Sequence, residues 1–179
     1  MIIERKWAMP NHQTFKIKPI HKFIIESLSK IENPSLILDP FANRPSDYRA
    51  ITNDINPHTK TQYHMDAIDF LKMYEDHSVD VVLFDPPYSP RQLKECYHNM
   101  GQSLHDAKSS VWAAWKNEVK RVLKQGGLCL SFGWSSVGMS KSRGFTIQRI
   151  LLVCHGGVHN DTICLSEIKT QTSLKEFSS

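Results

Sequence analysis

Apolar residues recur along the chain in two alternating modes, one at helical spacing and one in short unbroken runs. Pro19 opens a stretch in which Ile20, Phe23, Ile24 and Leu28 fall three and four residues apart. That spacing predicts a helix over residues 19–31, stopped by Asn33-Pro34. Leu36-Ile37-Leu38-Asp39 reads as a short buried strand, and Ala50-Ile51-Thr52-Asn53-Asp54 as a second that also ends in an acid. A third strand is expected around residues 62–64, followed by a helix capped by Asp66 and bearing Ile68, Leu71 and Met73. Val79 to Asp85 is apolar on both faces, as a central strand is.

Residues 91–108 are polar and helix-compatible. Ser109-Ser110 then precedes an amphipathic helix carrying Val111, Trp112, Trp115, Val119, Val122 and Leu123, with Gly126-Gly127 expected as its C-terminal stop. Leu128 to Phe132 is a further strand. Two runs, Gly144 to His155 and Thr162 to Thr170, read as an antiparallel hairpin on the sheet edge. Alternating strands and helices of this kind predict an α/β domain with a mostly parallel sheet. One domain over residues 1–179 is expected, with a basic segment over 1–18, a flexible tail over 171–179 and no separate target-recognition domain.

Composition narrows the class. No run approaches the roughly 18 apolar residues of a membrane span, and no apolar core follows the first charges, so neither a membrane protein nor a secretory leader is expected. Cys96, Cys129, Cys154 and Cys164 form no Cys-x-x-Cys pair. They read as reduced core residues of a cytoplasmic protein, with no metal site expected. The net charge of +4 lies in the first thirty residues, where six basic side chains face two acidic ones. That asymmetry suits a phosphate backbone as partner, and equally a solvated face.

The candidate chemistry lies at strand ends. Asp39, Asp54 and Asp85 each close a strand and Asp66 opens a helix after one, which places four acids along the carboxyl edge of the sheet, where open α/β sheets bind ligands. An acid after the second strand suits the two hydroxyls of a ribose. Asp39 could face an amino group, and Asp66-Ala67 an adenine. Asp85-Pro86-Pro87-Tyr88 offers a carboxylate, rigid carbonyls and an aromatic face, a set that suits holding a planar amino group in place.

Together these strings resemble the S-adenosylmethionine-dependent amino-methyltransferases of DNA that modify adenine. Phe15-Lys16-Ile17-Lys18-Pro19 resembles the motif before the first strand, and Leu36-Ile37-Leu38-Asp39-Pro40-Phe41-Ala42 the first cofactor motif. Asn53-Asp54 and Asp66-Ala67 resemble the ribose and adenine contacts. Arg121-Val122-Leu123-Lys124-Gln125-Gly126-Gly127 resembles the corner before the fifth strand. Trp7-Ala8-Met9-Pro10-Asn11 and residues 155–161 are similar to small stand-alone enzymes of phages and mobile elements. The family's glycine-rich turn after Asp-Pro-Phe is replaced by Ala42-Asn43-Arg44-Pro45-Ser46, where Asn43 best tolerates a left-handed conformation.

The resemblance implies a Rossmann-like class I methyltransferase fold with a seven-stranded, mostly parallel sheet. It implies S-adenosyl-L-methionine as cofactor, held by Lys18, Asp39, Pro40, Phe41, Asn43, Asp54, Asp66, Ala67 and Asp85. The catalytic set would be Asp85, Pro86, Pro87 and Tyr88. Tyr88, Trp134, His155, His159, Lys141 and Arg143 are candidate substrate contacts, and Trp7 a further one. DNA is the expected partner, with RNA or cytosine as alternative substrates and a non-catalytic nucleic-acid-binding module as the rival class. A homodimer or a second subunit would complete recognition.

Overall fold

A computed structural model of the chain describes residues 1–93, 110–157 and 159–170. Seven strands and three α-helices of six residues or more organise them. They are β1 (Ile2–Trp7), α1 (Lys18–Leu28), β2 (Ile37–Asp39), β3 (Ile51–Thr52), α2 (Ala67–Lys72), β4 (Val79–Phe84), α3 (Ser110–Val122), β5 (Leu123–Gly133), β6 (Phe145–Cys154) and β7 (Thr162–Lys169). The strands form one sheet in the order β1-β6-β7-β5-β4-β2-β3. Pairings are parallel except those of β7 with β5 and with β6. The sheet is thus mostly parallel with an antiparallel C-terminal hairpin, as the sequence pattern implies.

Both faces of the sheet are covered, and the period of two along β4 decides which residues go where. Val81 and Leu83 pack with Ile20, Phe23 and Ile24 of α1, beside Leu128, Leu130, Leu151 and Val153. Val82 and Phe84 pack on the other face with Phe70 and Leu71 of α2 and Trp115, Val119 and Val122 of α3. A strand buried on both sides carries no polar face, which is why Val79–Phe84 reads as a nearly continuous apolar run. It also makes β4 the rigid post on which the following Asp85 turn stands.

Three expectations are corrected, and the N-terminal segment takes a structure that the sequence pattern does not show. The basic N-terminal segment forms an edge strand, β1, in register with β6 from Ile2↔Arg149 to Trp7↔Cys154. Its side chains are mostly exposed on both faces, so it shows no alternation. It is anchored by Arg149, whose guanidinium donates to Glu4 at 2.5 Å and to Glu26 at 2.7 Å. The C-terminal hairpin is therefore not at the edge: β7 is inserted between β5 and β6, and β1 covers β6. The expected third strand shrinks to one bridge, Asn53↔Tyr63. Finally, α3 runs straight into β5 at Leu123, and Gly126 (φ 76°) sits in an outward loop of that strand rather than at a helix cap. The register there jumps from Val79↔Leu123 to Val81↔Leu128. Of the polar stretch 91–108, residues 90–93 are helical; residues 94–108, with Cys96, lie outside the described residues, as does the tail 171–179. Cys129, Cys154 and Cys164 are buried free thiols.

Candidate active site

Four strand ends meet at the carboxyl edge of the sheet. Because β1 and β6 run parallel to β2, β4 and β5, the turns after β2, β3, β4 and β5 and the segment after β1 all emerge on that side. Between them lies a cleft of about 570 Å³, within the size range of small-molecule and cofactor sites. It is lined by Pro40, Phe41 and Asn43 after β2, Asp54 after β3, Asp66 and Ala67 at the start of α2, and Asp85 to Tyr88 after β4. Asp39 and Asp85 share a smaller adjoining recess.

The loops are fastened to one another by a residue that the sequence pattern does not single out. Asn53 is 1% exposed. Its amide donates to the Pro40 carbonyl at 3.2 Å and the Met65 carbonyl at 3.0 Å, while its oxygen accepts from the Met65 N–H at 3.1 Å. A buried amide with its partners satisfied fixes geometry, and this one ties the turn after β2 to the entry of α2. Asp66 caps α2 through the Ile68 N–H at 2.8 Å, as expected. The turn Ala42–Ser46 has no residue at positive φ, so its lack of glycine leaves no strain and Asn43 is not left-handed. A glycine-rich turn is not a conformational requirement at this place in the chain.

The Asp85-Pro86-Pro87-Tyr88 turn is held from several sides. The Trp112 indole N–H donates to the Pro87 carbonyl at 2.9 Å, and the Tyr88 N–H donates to Gln92 Oε1 at 2.7 Å. The Tyr88 hydroxyl donates to Asp85 Oδ1 at 2.6 Å. The Tyr88 ring meets Trp134 edge-on, centroids 5.6 Å apart, and passes within 3.7 Å of where a Cβ on Gly133 would be. Trp112 therefore belongs to the site as well as to the helix face, and Trp115 lines the cleft against Phe41 at 4.8 Å. His12 and Thr14, from the segment after β1, reach the same cleft.

Burial works against the charges of the acids gathered here. Asp39 is 3% exposed, and its carboxylate accepts only the Phe41 N–H, at 3.3 Å, among the described residues. Burial, with Asp85 and Asp54 nearby, lifts it well above the usual carboxylate range. Burial also pushes Asp85 up to about 6, against the opposing hydrogen bonds from Tyr88 and Thr14. Asp54 is raised by burial, one oxygen accepting the Asn56 N–H at 2.8 Å. A concave site with three perturbed acids is one that a ligand with cationic and hydroxyl groups would relieve.

Of the remaining candidates, Trp134 stands at the rim and the others lie elsewhere. Lys18 is an exposed residue at the start of α1 and lines neither recess. The His155 ring bonds the Ala8 carbonyl and the Thr162 hydroxyl, both at 2.9 Å, so it fastens the chain after β1 to the hairpin. His159 is exposed in the hairpin turn, and Lys141 is exposed in a short 3-10 turn. Arg143 reaches back to Asn117 of α3 at 3.0 Å. Trp134 is 42% exposed on the rim beside Tyr88, and Trp7 is 68% exposed at the end of β1. No helix among the described residues is long and apolar enough to cross a membrane.

No protein-family model matches the chain. Among solved structures, it is similar to yhhF from Escherichia coli, assigned as a methyltransferase. The TM-score is 0.55 at 10% identity, over 91% of this chain and 92% of that one. It is also similar to 1,6-didemethyltoxoflavin-N1-methyltransferase of Burkholderia thailandensis, solved with 1,6-didemethyltoxoflavin and S-adenosylhomocysteine bound. Here the TM-score is 0.58 at 12% identity, over 86% and 78% of the two chains. TrmN from Thermus thermophilus gives a TM-score of 0.53 at 14% identity, over 86% of this chain and 49% of that one. At such identities the likeness is one of architecture: the chain has the Rossmann-like fold of class I methyltransferases.

Proposed function

We propose that this protein is an S-adenosylmethionine-dependent methyltransferase that modifies the exocyclic amino group of adenine in DNA. The observation that carries the reading is the meeting, in one cleft, of the Asp85-Pro86-Pro87-Tyr88 turn with Asp54, Asp66 and the recess of Asp39. The fold's neighbours support methyl transfer, one of them holding S-adenosylhomocysteine.

The residues present fit the cofactor. The under-satisfied, buried Asp39 carboxylate matches an ammonium group, and the free lone pairs of Asp54 match ribose hydroxyls. Ala67 at the N-terminus of α2, with Asp66, matches an adenine edge. When bound, the cofactor would supply an electrophilic methyl group on a sulfonium. The protein's own contribution is positioning. An adenine amino group is a poor nucleophile because its lone pair is delocalised into the ring. The Asp85 carboxylate and the Pro86 carbonyl accept its two hydrogens and so direct the lone pair away from the ring plane. The two prolines stiffen the turn, and orientation of this kind contributes on the order of 7–11 kcal/mol. Tyr88 and Trp134 present aromatic surface to the base, at about 1–3 kcal/mol per stacked base, comparable with the few kcal/mol needed to extrude one from a duplex.

The test is transfer of a labelled methyl group from S-adenosylmethionine in a mixture of DNA and RNA. Label in DNA adenine supports the reading. Label in RNA or cytosine only would move the substrate, and no label anywhere would refute methyl transfer.

A further inference from the structure

We propose that the Tyr88 hydroxyl is a positioning group for Asp85, orienting the carboxylate and keeping it available as an acceptor. This role is separate from any stacking by the ring, and it rests on the reading of Asp85 as the acceptor of the amino group.

The geometry is specific. The ring meets Trp134 edge-on and lies at van der Waals distance, 3.7 Å, from where a Cβ on Gly133 would be. That placement delivers the hydroxyl to Asp85 Oδ1 at 2.6 Å, a short, charge-assisted bond. One carboxylate oxygen is thereby pinned, which sets the plane of the carboxylate, and the Thr14 side chain is a second donor to it. A phenylalanine in the same place would keep the ring and its contacts but lose this bond.

The bond matters because the surroundings oppose ionisation. Asp85 is faced by the Asp39 carboxylate from β2, the Cys164 thiol from β7, the Thr14 side chain from the segment after β1, and Tyr88 from its own turn. Among the described residues, the hydroxyls of Thr14 and Tyr88 are the groups that favour the charged form. Removing one donor from a buried carboxylate raises its protonation midpoint, so the Tyr88→Phe protein should hold Asp85 protonated to higher pH.

Two readouts decide the proposal. The first needs no cofactor or DNA: carbon-13 NMR titration of the Asp85 carboxyl, assigned with Asp85→Asn, in wild-type and Tyr88→Phe proteins. The wild-type midpoint is expected near 6 and the variant midpoint about one pH unit higher. The second is the pH dependence of kcat/KM for DNA methylation. Its acid limb should move up by the same interval, giving about a fivefold loss at pH 6 that shrinks as pH rises. Equal midpoints, or a loss independent of pH, would overturn the proposal. If wild-type protein methylates nothing, the functional reading fails, and the NMR midpoints still decide whether the hydroxyl holds Asp85 ionised.

Discussion

Replacing Asp85 by asparagine should make the protein more stable and inactive at once, and the size of the gain follows from the site. Asparagine keeps the shape of the side chain and an oxygen to accept the Tyr88 hydroxyl, but it cannot carry charge. The native carboxyl is displaced from 3.8 to about 6, chiefly by burial. Between those values the folded protein binds more protons than the unfolded chain, so native stability falls as pH rises through the window. At about 1.4 kcal/mol per pH unit, the charged carboxylate costs up to about 3 kcal/mol at pH 7.5. For a chain of this size that corresponds to a rise in Tm of roughly 6–12 °C for the variant. Urea denaturation of both proteins at pH 3.5 and pH 7.5 isolates the effect. The two should be nearly equal at pH 3.5, where both side chains are neutral, and diverge at pH 7.5 in favour of Asp85→Asn. A difference that does not change with pH, or an asparagine variant less stable at pH 7.5, would refute the claim that this carboxylate is held against its own solvation.

Three other outcomes follow from particular contacts. Gly138 has φ 53° and a Cβ there would strike the buried Glu167 carboxylate, which accepts from the Met139 N–H; Gly138→Ala should cost about 2–4 kcal/mol in chemical denaturation. Among the described residues Asp54 makes one side-chain hydrogen bond, from the Asn56 N–H, so Asp54→Ala should leave the Tm within a few degrees while weakening S-adenosylhomocysteine binding by about 10–100-fold in calorimetry. Trp112→Phe removes the 2.9 Å bond to the Pro87 carbonyl but keeps a ring on α3; kcat should fall about tenfold with stability reduced by roughly 1 kcal/mol.

Much of this architecture is written in local pattern. The β4 run is apolar on both faces because it is buried on both faces, and the acids at strand ends follow from topology alone, so both are visible without coordinates. What stays hidden depends on partners far along the chain. Ile2–Trp7 becomes a strand through β6 and the Arg149 ion pairs, 145 residues from Glu4, and not through any alternation of its own. Asn53 organises the cleft by bonding two loops, and nothing in its neighbours marks it apart from the adjacent Asp54. Trp112 sits in a helical apolar stripe, so periodicity reads it as core, although its N–H bonds the Pro87 carbonyl in the turn after β4. Conversely, the missing glycines after Asp39 suggest a defect that the backbone does not have, because a turn can be made with ordinary φ angles.

The central claim is that Asp85 and the cleft around it methylate adenine in DNA. Mass spectrometry of nucleosides from the DNA of cells expressing the wild-type chain, beside cells expressing Asp85→Ala at equal soluble yield, tests it most directly. N6-methyladenine above background is expected with the wild-type chain, and none above background with the variant. Equal N6-methyladenine in both, or none with a folded wild-type protein, would contradict it.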